Sequence, residues 1–111
     1  MAAPSAARIR ELNDAFRAAG PFSGGWMLTE GVSALGPDFA LLAIHVVQRF
    51  DRFDAGNDPY AEHDFGSFEL AGETLFWKID YYDQDLRFGS SDPGDPVTTR
   101  RVLTLMLASE Y

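Results

Sequence analysis

The chain has 111 residues with 17 acidic and 9 basic side chains, which gives a formal net charge of −8. This charge argues against direct binding to nucleic-acid phosphates or anionic membranes, both of which need clustered Lys and Arg. The length and a hydrophobic content of 46% predict one folded domain, 1–111, and the lack of cysteine excludes disulfides and thiolate metal sites.

The first quarter of the chain predicts a helix over residues 6–19 and a short strand after it. Ser5 can cap this helix at its start, and Gly20 followed by Pro21 ends it. The strand, 26–29, follows a pair of glycines and is mainly apolar. The apolar stripe of the helix recurs every three or four residues: Ile9, Leu12, Phe16 and Ala19.

A second helix is predicted over about 37–52, with Pro37 in its first turn. Its main apolar stripe consists of Phe39, Leu42, Val46, Phe50 and Phe53. Leu41 and Ile44 add apolar surface away from that stripe. We therefore expect this helix to be buried on two sides, or to use Leu41 and Ile44 as the interface of a homodimer.

The clearest β signal predicts a hairpin over about 64–82. Residues 75–82 alternate between apolar and more polar positions, and Ala71-Gly72 supplies the turn. The two core faces then coincide, and Trp77 covers Gly66. The predicted register pairs Leu70 with Glu73, Phe68 with Leu75, Gly66 with Trp77, Phe65 with Lys78, and His63 with Asp80.

A last helix is predicted over about 96–110, because Asp95 can cap it and Pro96 fits its first position. The predicted fold class is therefore α+β. It consists of a small antiparallel sheet built on the 64–82 hairpin and packed by helices at about 6–19, 37–52 and 96–110.

Most of the negative charge lies between Asp51 and Asp95, where twelve acidic residues face three basic ones and give a net charge of −9. A surface of this kind favours a protein partner with a basic surface. Tyrosines can anchor such a contact, because their rings are apolar and their tips are polar. The predicted contact residues are Asp58, Tyr60, Glu62, Asp64, Asp80, Tyr82, Asp83 and Asp85.

An alternative function is a small hydrolase or nuclease that uses His63, Glu62, Lys78 and Asp80, with or without a divalent metal. Two observations disfavour catalysis. Consecutive strand residues point to opposite faces, so Glu62, His63 and Asp64 cannot converge on one ion. A lysine among carboxylates also holds its proton more firmly. We expect no metal and no cofactor.

The residues after Met1 lack the apolar stretch of a signal peptide, and no apolar run approaches the length of a membrane span. A cytoplasmic protein is therefore expected.

Several segments of the chain resemble the bacterial family known as domain of unknown function 3768. The two central segments are Asn57-Asp58-Pro59-Tyr60-Ala61-Glu62-His63-Asp64-Phe65-Gly66 and Phe76-Trp77-Lys78-Ile79-Asp80-Tyr81-Tyr82-Asp83. Flanking segments, 9–17, 28–32 and 101–111, follow in the same order. The resemblance implies a short single-domain protein of proteobacteria, often encoded on plasmids and other mobile elements. It implies no activity and no catalytic residues.

The sequence thus favours a small acidic binding protein of mobile genetic elements that is not an enzyme. Such elements encode proteins that inhibit host defence, and an acidic surface can occupy a basic nucleic-acid channel. The hypothesis is an inhibitor of a nucleic-acid-handling defence system, of the anti-CRISPR or anti-restriction type. The hydrolase or nuclease is the alternative.

Overall fold

The computed structural model describes residues 6–111 and confirms the α+β class. In this part of the chain, none of the helices is long and apolar enough to cross a membrane. The regular elements are helices α1 (Ala6–Ala19), α2 (Glu30–Ala34) and α3 (Pro37–Gln48), and strands β1 (Trp26–Leu28), β2 (Phe65–Leu70), β3 (Glu73–Tyr82) and β4 (Arg100–Leu107). Short 3-10 turns lie at Pro21–Ser23 and Ala108–Glu110.

The four strands form one sheet in the order β1-β4-β3-β2. The β2–β3 and β3–β4 pairs are antiparallel, whereas β1 lies parallel to β4. The sheet is therefore mixed, whereas the predicted sheet was antiparallel throughout. Parallel pairing needs a long crossover between the strands, and the whole segment between β1 and β4 makes this connection.

The hairpin has the predicted turn and register. Leu70 pairs with Glu73, Gly66 with Trp77, and Phe65 with Lys78. Ala71 and Gly72 both have positive φ angles, 52° and 82°, as a two-residue type I′ turn requires. The Trp77 ring lies directly over Gly66, so that a side chain at position 66 would collide with it.

The helices pack on one face of the sheet, where Leu75, Trp77 and Leu105 are fully buried against Ala43 and Val47 of α3. The opposite face, here called the open face, carries the even-numbered residues of β3 and β4. Most of these side chains are exposed or half-buried. Phe65, Phe76 and Tyr111 form an aromatic group there, with ring centroids 5.3–6.3 Å apart.

The predicted helix over 96–110 is wrong, because most of this segment forms β4. Asp95 does cap a turn, since its carboxylate accepts bonds from the backbone of Val97 and the hydroxyl of Thr98. The chain then becomes extended. Leu103, Leu105 and Leu107 alternate toward the core, and their partner strands on both sides outweigh the helical spacing.

Helix α3 ends at Gln48, earlier than the predicted 52. Phe50 and Phe53 reach the core from the segment that follows the helix. The predicted stripe is also rotated: Ala43 and Val47 are fully buried, whereas Leu42 is 56% exposed. The start of α1 is confirmed at residue 6, and its predicted cap Ser5 lies outside the described residues.

Candidate functional site

The segment 54–64, here called the motif loop, packs against α1 through polar contacts. Arg10 Nη1 donates to the Ala61 carbonyl at 2.9 Å, and Asn13 Nδ2 donates to the Glu62 carbonyl at 3.0 Å. Because both carbonyls belong to a loop without regular structure, these side chains supply the partners that a sheet would otherwise provide.

Asn13 is the centre of a buried polar network. Its side chain is fully buried, and its amide also donates to the Tyr81 hydroxyl oxygen at 2.8 Å. Its Oδ1 accepts a bond from Arg101 Nε at 2.6 Å. The Tyr81 hydroxyl donates to Glu62 Oε1 at 2.9 Å, and Arg101 also donates to the Pro93 carbonyl. One asparagine thus connects α1, β3, β4 and the motif loop.

Burial sets the protonation behaviour of this network. It raises the pKa of the Tyr81 hydroxyl well above its ordinary value, so Tyr81 stays a hydrogen-bond donor at neutral pH. Burial lowers the pKa of Arg101 and of Arg17. An arginine starts from so high a pKa that both remain charged. The network is therefore a fixed scaffold near neutral pH.

His63 lies beside this network and contacts α1. Its φ of 55° takes the chain out of the strand, and its ring stacks on Phe53 with centroids 3.7 Å apart. Nδ1 lies 2.8 Å from Asp14 Oδ1, and Nε2 lies 3.6 Å from Asp58 Oδ2. Both ring nitrogens therefore point at carboxylates of the protein itself.

Arg17 shares Asp14 with His63. Its Nη1 is 3.1 Å from Asp14 Oδ1, and its Nη2 donates to the Phe50 carbonyl at 3.1 Å. The guanidinium also lies over the rings of Phe53 and Trp77, 5.3 and 5.1 Å from their centroids. Since the side chain is buried, these contacts compensate for the loss of water around its charge.

The predicted pairing of His63 with Asp80 is wrong. Strand β2 begins only at Phe65, and the left-handed conformation of His63 turns its ring toward α1. Asp80 instead accepts a bond from Lys78 Nζ at 2.8 Å on the open face. That bond, above all, raises the pKa of Lys78, which agrees with the prediction that this lysine holds its proton.

The four residues of the hydrolase alternative do not converge. His63 and Glu62 contact residues of the helix-covered face, whereas Lys78 and Asp80 occupy the open face. The sheet lies between the two pairs. Within residues 6–111, no group of three or more His, Asp or Glu side chains is arranged to hold a metal ion.

The eight predicted contact residues differ widely in accessibility. Tyr60 is 77% exposed, and Asp85 is also exposed. Asp58 is only 7% exposed, and its Oδ1 accepts the backbone N–H groups of Glu62 and His63. Asp58 therefore stabilises the motif loop and cannot present its charge to a partner. Glu62 is half-buried and bonded to Tyr81.

The remaining residues lie at or near one end of β3. Asp80 and Tyr82 lie on the open face, and Asp83 and Asp85 follow in the next loop. We call these four residues the acidic end. Asp64 lies nearby, because its carbonyl accepts the Ile79 N–H at 2.8 Å.

The homodimer interface at Leu41 and Ile44 stays a prediction. Leu41 is 57% exposed, but Ile44 packs against the core.

Asp64 is a half-buried carboxylate among others. Burial is the largest cause of the raised pKa of Asp64. The negative charge of Glu62 raises this pKa further, and the charges of Asp58 and Asp80 add smaller effects. A raised pKa in the folded state means that ionised Asp64 opposes folding. Its favourable contribution is present below the unfolded pKa and is lost as the pH rises through the folded pKa.

Asp64→Asn should therefore stabilise the domain at pH 7, because it removes this charge and keeps the shape. We expect a gain of about 0.5 kcal/mol, a modest figure because half the side chain meets solvent. The gain should disappear below about pH 3.9, where the unfolded carboxyl is protonated too. Urea unfolding of wild type and variant at both pH values measures it. The exposed Asp85→Asn is the control, and an equal gain there would contradict this account.

The sequence did not reveal four residues of the polar network and of the adjoining His63 contacts, namely Asn13, Asp14, Arg17 and Arg101. A signal for two of them was present. Ile9, Asn13 and Arg17 are the buried residues of α1 and follow one another at intervals of four. Polar residues in line with a buried isoleucine on a helix indicate buried polar contacts. The predicted buried stripe instead passed through Leu12 and Phe16.

These features define a small α+β domain whose long motif loop is held by a buried polar network. The chain belongs to the family described as Protein of unknown function (DUF3768), whose model matches residues 28–110. The match covers the motif loop and all four strands except the first two residues of β1. No curated protein and no solved structure matches the chain.

Proposed function

We propose that this domain is a non-enzymatic binding protein whose acidic end and open face contact a basic surface of a partner protein. The separation of the acid–base residues by the sheet carries the proposal. The side chains suited to catalysis are engaged in internal bonds or lie on opposite faces. At the end of β3, Asp85 is exposed and Tyr82 and Asp83 are half-buried, so their side chains can meet a partner, whereas Asp80 is bonded to Lys78.

The open face has the composition of a protein contact surface. Phe65, Phe76 and Tyr111 offer aromatic area, and Tyr82 adds a ring next to the carboxylates. Aromatic residues are enriched at the centres of interfaces. Carboxylates at the rim speed association with a basic partner and select against acidic ones. Together these groups fit a partner with a basic patch beside an apolar one.

The finer form of the proposal concerns the identity of the partner. We infer a cytoplasmic protein of mobile genetic elements that blocks a host defence complex by occupying its basic nucleic-acid channel. The net charge of −8 supports a basic channel as the target, and the mobile-element context is what the family resemblance implies. Direct binding to nucleic acid is not part of it, because the same charge repels phosphates.

The double charge reversal Asp83→Lys/Asp85→Lys should abolish capture of such a partner. It replaces two attractive charges with two repulsive ones, and we expect at least a tenfold loss of affinity, which is about 1.4 kcal/mol. Immobilised wild-type and variant domains are compared as baits in lysate of a bacterium that carries the gene. The affinity of each captured protein is then measured over a range of salt concentrations.

The matched control is Glu30→Lys/Asp38→Lys. It makes the same change in net charge on exposed residues of α2 and α3, away from the acidic end. The control should keep most of the binding, and binding by the wild type should weaken as salt rises. If both double variants bind equally well, the acidic end is not the contact surface.

A further inference from the structure

A second surface, distinct from the acidic end, lies along the free edge of β2. In the order β1-β4-β3-β2, one side of β2 pairs with β3 and the other has no neighbouring strand in the described part of the chain. Leu70 and Glu73 close a two-residue turn, and the Asp64 carbonyl accepts the Ile79 N–H. The ladder therefore directs the backbone groups of even-numbered residues toward β3.

The odd-numbered residues of β2 consequently offer their backbone to solvent. The N–H and C=O groups of Ser67 and Glu69 point away from β3 and have no backbone partner among residues 6–111. Natural edge strands are usually protected by lysine, proline, a bulge or a covering element. Strand β2 has none of these, and Glu69 is its only charge.

A cleft of about 730 Å³ runs beside this edge, between β2 and α3. Its apolar walls are formed by Leu42 and Val46 of α3 and by Phe68 and Leu70 of β2. The exposure of Leu42 is explained by this position. A free strand edge next to an apolar cleft under a helix is the geometry that binds an extended peptide as an added strand.

Charge indicates which kind of peptide fits. Arg49 and Arg52 line the cleft and are exposed, and their guanidinium groups make no hydrogen bond or ion pair with any described residue. Asp51 and Glu69 also border the cleft, but Glu69 belongs to the face of β2 opposite Phe68.

We propose that this cleft binds an extended segment of a partner protein that adds as a fifth strand beside β2 and directs both apolar and acidic side chains, at every second position, into the cleft. Its backbone pairs with Ser67 and Glu69, its apolar side chains enter the cleft, and its carboxylates meet Arg49 and Arg52. This site is independent of the acidic end, which attracts basic surfaces. One domain would thus bind two opposite kinds of partner surface.

The test begins with a phage-displayed library of random peptides selected on the immobilised domain. The proposal expects enrichment of sequences in which apolar and acidic residues occupy every second position, so that both kinds face the cleft. The most enriched peptide is then synthesised with a fluorescent label, and its affinity is measured by polarisation. Arg49→Glu/Arg52→Glu should weaken it at least tenfold by charge repulsion, whereas Asp83→Lys/Asp85→Lys should leave it unchanged.

Ser67→Pro tests the strand addition itself. The N–H at position 67 faces the free edge, so proline there blocks the added strand and keeps the pairing with β3. Affinity for the peptide should fall at least tenfold, while circular dichroism shows a folded domain. Amide exchange gives a readout that does not depend on variants: the N–H groups of Ser67 and Glu69 should become protected only when the peptide is bound.

Three results would overturn the proposal. The first is a library that yields no enriched peptide, or only basic ones, which fit the acidic end instead. The second is equal affinity of the enriched peptides for the wild type, the Ser67→Pro variant and the arginine variant. The third is protection of Ser67 and Glu69 without peptide in a domain that light scattering shows to be dimeric, which would mean that a second copy occupies the edge.

Discussion

Asn13→Ala is expected to destabilise the domain by about 3 kcal/mol. The substitution removes the acceptor of Arg101 Nε and the donor to the Tyr81 hydroxyl and the Glu62 carbonyl. These groups are buried or half-buried, so water cannot replace all the lost bonds. Urea unfolding at pH 7 measures the change as a lower midpoint. The motif loop should also become sensitive to proteases, because Asn13 holds it on α1.

Glu11→Ala on the same helix is the matched control. Its carboxylate is exposed and, among residues 6–111, makes only a surface pair with Arg8 at 3.5 Å, so the loss should stay within about 0.5 kcal/mol. Comparable losses for the two variants would mean that the polar network contributes no more than a surface ion pair. The central role of Asn13 would then have to be abandoned.

Gly66→Ala should cost about 2–3 kcal/mol, although alanine is chemically the smallest possible change. The added methyl group would lie 2.7 Å from Trp77 Cε2 and 2.8 Å from Phe50 Cε1. Both rings are buried, so neither can move without disturbing the core. Thermal or urea unfolding gives the loss directly.

The control for this variant is Gly89→Ala. A methyl group there would meet nothing closer than the Tyr81 carbonyl at 3.9 Å, and the change should be small. A double-mutant cycle with Trp77→Leu adds a second check. If the collision is the cause, Gly66→Ala should cost less once the indole is gone. Additive losses would point to a cause other than the Trp77 ring.

The sequence could predict the hairpin because its information is local. Alternation in β3, the Ala71-Gly72 turn and the fit of Trp77 over Gly66 all select one register. In the segment 96–110, the local signals favour a helix, whereas the neighbouring strands favour an extended chain. Asp95 and Pro96 are good helix-start residues, and only the neighbouring strands β1 and β3 make the extended form of Leu103 and Leu105 the more stable one. Tertiary pairing of this kind cannot be read from a single segment.

The sequence singled out the segment around Glu62, His63 and Asp64, but not its geometry. The argument that these three residues point to alternate faces assumed a strand, whereas β2 begins only at Phe65. The contacts of this segment with α1 were not predicted, because the residue types in the motif do not indicate that the His63 backbone is left-handed. The partners of that segment, Asn13 and Asp14, lie about fifty residues earlier, and nothing local relates the two segments.

The parallel pairing of β1 with β4 also has a consequence for how the protein is made. Trp26 faces Leu103, so the ribosome must synthesise 77 further residues before the first strand finds its neighbour. Until then β1 is not joined to the β2–β3 hairpin, because β4, the strand that lies between them, has not been made. Non-local pairing of this kind slows folding. Trp26 therefore lacks its partner strand while those 77 residues are synthesised, and chaperones that bind exposed aromatic segments would meet it at that stage.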